Sequence, residues 1–405
     1  MSENHYWLLP EGISEALPED AARLEVLRRR LIDLYRSWGY QLVMPPLVEF
    51  MESLSTGTGK QLDIQTFKLT DQESGRLMGV RADITPQVAR IDAHRMRADY
   101  PNRLCYVGPV LRTRSNHATG GSRSPLQIGA ELFGHAGLDS DVEVISLAIE
   151  TLQQCLHEGA TQNIILDLGH VGIFSEIVTF LGLNHAEQDT LTNILQRKSI
   201  PDLSVWIEQQ GFSNKQAEII KALPELNGSV DVIAQAETLL GTHVSDILPV
   251  LSNIRALVQR LEQMFPEITI NLDFGELRGY TYHTGIVFQL YLPGMQRELI
   301  RGGRYDGIGE AFGHARPATG FSADLRFLGN LCKNQKEIFE GKKIIAPAVS
   351  DTNLDRVMKE LREQGNIVIR QLQQKQVVQL EVVEDLSCDY QLVSSGNDWV
   401  VEKIS

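Results

Sequence analysis

Three neighbouring stretches decide the fold: RGYTYHTGIVF at residues 278–288, RGGRYDGIGEAFG at 301–313 and ATGFSADLRF at 318–327. Residues around 280–292 are rich in strand formers, Pro293-Gly294 supplies turn chemistry, and QRELIRGG reads as the next strand. Strands joined so closely favour a hairpin-rich antiparallel sheet with flanking helices, an α+β fold, over a parallel one. The same stretches set charged side chains among aromatic residues and glycines. A charge in such strands needs a partner, and a ligand pocket supplies one.

Upstream the pattern is consistent with that sheet. From Ala21 to Trp38, Leu24, Leu27, Leu31, Leu34, Tyr35 and Trp38 recur at helical spacing, and Gly39 is a natural stop. YQLVMPPLVEF follows, its strand formers interrupted by Pro45 and Pro46, which cannot donate to a ladder and suit an edge or an interface. RLCYVGPVLR, LQIGAELFG and NIILDLG read as further strands, and residues 139–158 as a long amphipathic helix. Residues 171–265 read as a helical insertion, several short helices punctuated by Pro201, Gly211, Pro224, Gly228 and Gly241. The expected organisation is one large unit over 1–330 and a small α/β region over 331–405, with KKIIAPAVS, NIVIRQ and VVQLEVVE as strands and a helix over 351–363.

A chain of 405 residues can bury a substantial core. Its 38 basic and 52 acidic residues give a net charge of −14, which opposes the phosphate neutralisation behind most nucleic-acid affinity. Cys105, Cys155, Cys332 and Cys388 lack the paired spacing of a zinc or redox motif and read as reduced thiols, with no metal implied. No apolar run spans a bilayer and the N-terminal residues do not read as a signal peptide, so a cytoplasmic protein without a membrane partner is expected.

Two local motifs have plain readings. STGTGKQ at residues 55–61 has the wrong glycine spacing for a phosphate loop, and Gln61 replaces the hydroxyl that would hold magnesium, so a surface loop is expected. In VRADITPQVAR, residues 80–90, Thr85 can cap a helix with Pro86 at its first position, or Asp83 and Thr85 can face a ligand. Gln127 and Glu131, four apart in QIGAE, project from one face of a strand. Structural readings stand beside these: Glu131 in a salt bridge, Tyr282 and Tyr305 as aromatic core, Gly302-Gly303 as a plain turn.

Residues 105–134, CYVGPVLRTRSNHATGGSRSPLQIGAELFG, resemble motif 2 of the class II aminoacyl-tRNA synthetases, two strands joined by a loop. VRADITPQVAR, WGYQLVMPPLVE, RGYTYHTGIVF and GGRYDGIGEAFGHARPATGF are similar, in that order, to the histidyl branch's signature, motif 1 dimer element, histidine-specific motif and motif 3. The resemblance covers about residues 1–330 and implies a class II synthetase-like core with a histidine pocket. It places Asp83, Thr85, Gln127, Glu131, Arg278, Tyr282, His283 and Tyr305 around histidine, with Asp83 where the synthetases have glutamate and His283 where they have a second tyrosine.

The nucleotide half departs from that pattern. Arg112 matches the arginine on the α-phosphate, but Arg114 reverses the family's acidic charge. Pro125 replaces a ring that stacks on adenine, a contact of about 1–3 kcal/mol. Phe327 replaces the arginine on the outer phosphates, where charged hydrogen bonds contribute about 1.5–3 kcal/mol each. The tail of 75 residues, ten basic and twelve acidic, is shorter than a synthetase's anticodon-reading domain and not basic. A kept amino-acid pocket beside a damaged ATP site resembles the regulatory-subunit family of the short-form ATP phosphoribosyltransferase. That likeness implies a chain with no catalytic residues and no cofactor. It would pair with the short catalytic subunit, usually as a hetero-octamer containing a dimer of this chain, and confer feedback by L-histidine without binding tRNA. The competing readings are a histidine-activating, adenylate-forming enzyme and a sensor of uncharged tRNA.

Overall fold

A computed structural model describes residues 7–404 apart from 57–58, 97, 115–120, 157–160, 276, 278–281, 296, 333–340, 373–387 and 397. The chain divides into two units, Met1–Gln335 and Lys336–Ser405. The first is built on a nine-stranded sheet. In spatial order its strands are Gln41–Leu42, Asn102–Pro109, Leu126–Phe133, Ala318–Asp324, Ile300–Arg304, Ile286–Tyr291, Ile165–His170, Thr269–Asp273 and Asn227–Gly228. The six strands from Asn102–Pro109 to Ile165–His170 pair antiparallel, and the parallel pairings flank them. The short Gln41–Leu42 strand lies at the sheet edge, just before the proline pair that cannot extend it.

Helices cover one sheet face. Pro18–Ser37 buries Leu27, Leu31 and Tyr35, and Gly39, at φ 85°, takes the left-handed conformation that turns the chain after it. Leu138–Gln153 packs on Ala318–Asp324 and on the helix Ile247–Met264. Between residues 171 and 264 run Val171–Leu181, His185–Gln196, Ile200–Gln210, Asn214–Ala222, Val232–Leu239 and Ile247–Met264, interrupted by Asn227–Gly228. Their apolar faces join the sheet in one continuous core, from Leu31 and Tyr35 through Ile128, Ala130 and Phe288 to Leu191, Ile220 and Leu257. A smaller cluster, including Ile84, Leu104, Tyr106, Phe133 and Tyr305, fills the opposite face beneath the helix Thr85–Arg95.

Two local expectations change. Residues 55–61, expected as a surface loop, include the end of one short helix, Met51–Ser55, and the start of another, Gly59–Gln65. A three-stranded sheet of Val48–Phe50, Leu77–Val80 and Phe67–Thr70 adjoins them, a structure too short to leave a clear periodic signature. Thr85 does not cap its helix. It is the first helical residue, and its hydroxyl turns to strand partners instead.

The second unit is a four-stranded sheet ordered Ile367–Arg370, Lys343–Ala346, Tyr390–Ser395, Asp398–Lys403. The helix Thr352–Glu363 covers it, with Leu354, Val357 and Met358 packed against Ile344, Val368 and Leu392. Asp351 caps that helix, accepting from Asn353 N–H at 2.7 Å and Leu354 N–H at 3.2 Å. The expected strand in VVQLEVVE lies outside the described residues, and the C-terminal hairpin was not foreseen. All four cysteines are buried thiols, none of them in a disulfide. Among the described residues no helix is long and apolar enough to cross a membrane.

The turn entering Ala318–Asp324 is anchored by a buried ion pair. Arg316 Nη1 meets Asp92 at 2.9 and 3.2 Å, Arg316 Nη2 donates to Tyr100 O at 2.6 Å, and Asn102 donates to Asp92 at 2.6 Å. Arg316→Met leaves the Asp92 charge buried without its counter-ion. Urea unfolding is expected to show a loss of about 3–5 kcal/mol.

Candidate ligand pocket

Glu131 is at the centre of a polar cage on the sheet face under the Thr85–Arg95 helix. Along Leu126–Phe133, Gln127, Gly129 and Glu131 share one face because strand side chains alternate. The antiparallel register sets Leu104 on one side of Glu131, and Gly320 and then Gly303 on the other. Those glycines are steric requirements. A Cβ on Gly320 would stand 1.6 Å from Glu131 Oε2, and one on Gly303 would stand 2.6 Å from the His283 ring.

The Glu131 carboxyl is 1% exposed. Thr85 Oγ1 donates to its Oε1 at 2.8 Å and Tyr106 OH at 3.1 Å, while Tyr305 OH donates to Oε2. Burial raises its pKa to about 8, because the cost of ionising away from water outweighs the stabilisation from these three hydroxyls; nearby Asp83 adds to the rise. At neutral pH the group is mostly a neutral acid. A cation brought against it would draw its proton off.

Aromatic rings form the wall. Tyr282 stacks on Tyr305 with centroids 5.3 Å apart and planes at 25°, and meets His283 edge-on at 5.3 Å. The Tyr282 hydroxyl is buried and has no hydrogen-bond partner among the described residues. Burial, then Glu131 and Asp83, hold it protonated. A buried hydroxyl in this condition costs about 1–3 kcal/mol until something meets it.

Asp83 and Gln127 sit beside the cage and are tied to each other. Gln127 donates to Asp83 Oδ1 at 2.9 Å and accepts from Ile84 N–H at 2.9 Å, and Asp83 Oδ1 also accepts from Thr85 N–H at 3.0 Å. Both ends of the Gln127 amide are thus engaged in fixing the 83–85 turn against the strand, which aims Thr85 at Glu131. The structure therefore brings Asp83, Thr85, Gln127, Glu131, Tyr282, His283 and Tyr305 together. Arg278 lies outside the described residues. Tyr106 was missed, although the hairpin register that pairs it with Gly129 puts it on the Glu131 face.

Arg112 lies at the other end of the same face, its Nε donating to Ala82 O at 3.3 Å, and Arg114 is exposed. Pro125 is buried, its carbonyl accepting from Val110 N–H at 3.1 Å. Phe327 belongs to the helix Leu325–Leu331, and the Arg297 guanidinium lies 3.4 Å over its ring. A separate open groove of about 480 Å³ runs between helices His185–Gln196 and Ile200–Gln210, lined in part by Arg197, Asp202 and Trp206. Its ion pair, Arg197 with Asp202 at 3.5 Å, is exposed, whereas the Glu131 cage concentrates buried polar groups; the cage is the better candidate.

Residues 12–328 match the histidyl-tRNA synthetase family, and residues 341–402 match the ATP phosphoribosyltransferase subunit HisZ C-terminal domain. An ATP phosphoribosyltransferase regulatory subunit from Thioalkalivibrio sulfidiphilus is 50% identical over 92% of this chain and 93% of its own length. One from Nitrosococcus oceani is 44% identical over 98% and 97%. Among solved structures, an ATP phosphoribosyltransferase regulatory subunit/histidyl-tRNA synthetase from Bacillus halodurans superposes with TM-score 0.80 at 26% identity, covering 95% of this chain and 97% of that one. A histidyl-tRNA synthetase from Nostoc shares the fold, with TM-score 0.74 at 19% identity over 96% and 91%. The class II synthetase-like α+β architecture is thereby established for the first unit.

The Glu131 acid gives stability a pH signature. Unfolded, it ionises near the ordinary 4.5; folded, near 8, so between these values the folded state keeps a proton that the unfolded state has lost. Its contribution therefore falls as pH rises through that window and is level outside it. Glu131→Gln removes the effect. Urea unfolding from pH 5 to 8 should show the variant gaining on the parent by up to about 1.4 kcal/mol per pH unit.

Proposed function

The chain belongs to the histidyl-tRNA synthetase family and, within it, to the ATP phosphoribosyltransferase regulatory subunits; from this we propose that it is a non-catalytic subunit that activates a short ATP phosphoribosyltransferase and transmits feedback by L-histidine. The observation carrying the ligand assignment is the Glu131 cage: a buried carboxyl under three hydroxyls, beside a Tyr282 hydroxyl that has no hydrogen-bond partner among the described residues. Histidine offers an ammonium and an imidazole to such groups, and its carboxylate suits Arg278. Asp83 and Gln127 hold the 83–85 turn in place, while Tyr282, His283 and Tyr305 flank the imidazole.

In this reading the protein works in the cytoplasm without cofactor, metal or tRNA, as a dimer within a hetero-octamer. Histidine closes the cage and shifts how the chain seats the catalytic subunits. The inhibition is then a coupling free energy between separate sites, of about 1–3 kcal/mol. Phe327 under Arg297 supports the absence of adenylate chemistry, since the ring is covered and offers no charge to a phosphate.

The test is the rate of the cognate short catalytic subunit with and without this chain across a histidine titration. The chain should raise the rate and make it histidine-sensitive; Glu131→Ala should retain activation and shift half-inhibition at least tenfold upward. Unchanged inhibition in the variant would remove the site assignment. Histidine-dependent ATP–pyrophosphate exchange by the chain alone would establish the synthetase reading instead.

A further inference from the structure

Cys155 and Cys332 are 177 residues apart in sequence and meet side chain to side chain in the fold. Each lies just beyond a helix: Cys155 follows Leu138–Gln153, and Cys332 occupies the C-terminal cap of Leu325–Leu331. Both helices rest on the strands Leu126–Phe133 and Ala318–Asp324, and that shared floor brings their ends together. Cys332 Sγ donates to Cys155 O at 3.6 Å and to Leu328 O at 3.7 Å, while Cys155 Sγ donates to Thr151 O at 3.4 Å.

The two sulfurs differ in their surroundings. A third helix, Pro18–Ser37, borders the pair: it packs on Leu325–Leu331, and Arg30 Nη1 donates to Gln154 O at 3.2 Å, next to Cys155. The hydrogen bond from Cys155 lowers the pKa of Cys332 against the effect of burial, and Arg30 and then Arg23 add to the fall. The same bond, followed by burial, raises the pKa of Cys155. Cys105 is a contrast, since burial alone pushes its thiol up to about 12. A thiol pair divided in this way has one attacking sulfur and one that resolves the intermediate.

We propose that Cys155 and Cys332 form a reversible cross-link site, oxidised by a small-molecule disulfide of the glutathione class. The Cys332 thiolate attacks one sulfur of that disulfide; a mixed disulfide forms on Cys332 and the first small thiolate leaves. Cys155, its proton passed to a leaving thiolate, then attacks the Cys332 sulfur, and the second small thiolate departs as the protein disulfide forms. The protein loses two electrons and two protons, and the small disulfide gains them as two thiols. Both cysteines stand in end turns, so the backbone can adopt the spacing of a disulfide without breaking a strand or a helix interior. Cys155 is 0% and Cys332 3% exposed, so the oxidant enters when the last turn of Leu325–Leu331 opens, and a seven-residue helix opens readily at its end. The site shares no residue with the Glu131 cage and stands apart from the histidine assignment.

The experiment incubates the folded full chain with excess oxidised glutathione, alkylates the remaining thiols and maps the unreduced peptides by mass. The expected product is a linked Cys155–Cys332 peptide pair that dithiothreitol reverses, with Cys105 recovered alkylated. Because the bond closes a long loop, the oxidised chain should have a higher urea midpoint than the reduced one. Cys155→Ser should stop at a glutathione adduct on Cys332. No linked pair from the folded chain, or one formed only after urea has unfolded it, would overturn the proposal. An adduct forming on Cys155 in Cys332→Ser as fast as on Cys332 in Cys155→Ser would overturn the choice of attacking sulfur. Mapping of the parent chain decides the cross-link itself even where a serine disturbs the packing.

Discussion

A single carboxyl group with almost no access to water constrains most of this sheet face. To hold Glu131 at 1% exposure, the structure surrounds it with the hydroxyls of Thr85, Tyr106 and Tyr305, each from a different element. Its partner strands must be bare beside it, hence Gly320 and Gly303. The 83–85 turn must stay in place, hence the Gln127 amide bonded at both ends. Each of these choices weakens a strand or buries a polar group, and none is needed for a stable sheet. Their coherence indicates a group kept for what it meets.

The two ends of the face have opposite characters. Among the described residues, one end holds a buried acid and a Tyr282 hydroxyl without a hydrogen-bond partner, and at the other Arg297 and Arg301 stand 3.9 and 4.0 Å from their carboxylates. In the proposed reading these correspond to the amino-acid and nucleotide halves of a synthetase reaction centre. Here Phe327 and the covering Arg297 alter the second half without disturbing the first, since the sheet register that builds the cage does not involve the helix Leu325–Leu331. Under the proposed reading, catalysis is lost while an amino-acid pocket is kept, as a regulatory subunit requires.

Much of this was legible in the sequence, for physical reasons. The period of two in QIGAE put Gln127 and Glu131 on one face, and the turn at Pro293-Gly294 announced an antiparallel sheet; helical spacing marked Pro18–Ser37. What escaped depended on tertiary pairing. Tyr106 joins the cage through strand register, which no local pattern specifies. Thr85 before Pro86 has the chemistry of a helix cap, and only the nearby carboxyl decides that its hydroxyl goes elsewhere. The sheet over residues 48–80 consists of strands of three or four residues, too brief for periodicity. The place of Arg297 above Phe327 rests on a contact between residues thirty apart in sequence.

The most direct test of the account is a calorimetric titration of the isolated chain with histidine at pH 7, repeated in buffers of different ionisation enthalpy. If a histidine cation settles against Glu131, the acid near pKa 8 must ionise, and each binding event should release close to one proton. Glu131→Gln should abolish that release and weaken binding. Histidine binding without proton release, or with the same release in Glu131→Gln, would contradict the claim that this buried carboxyl receives the ligand.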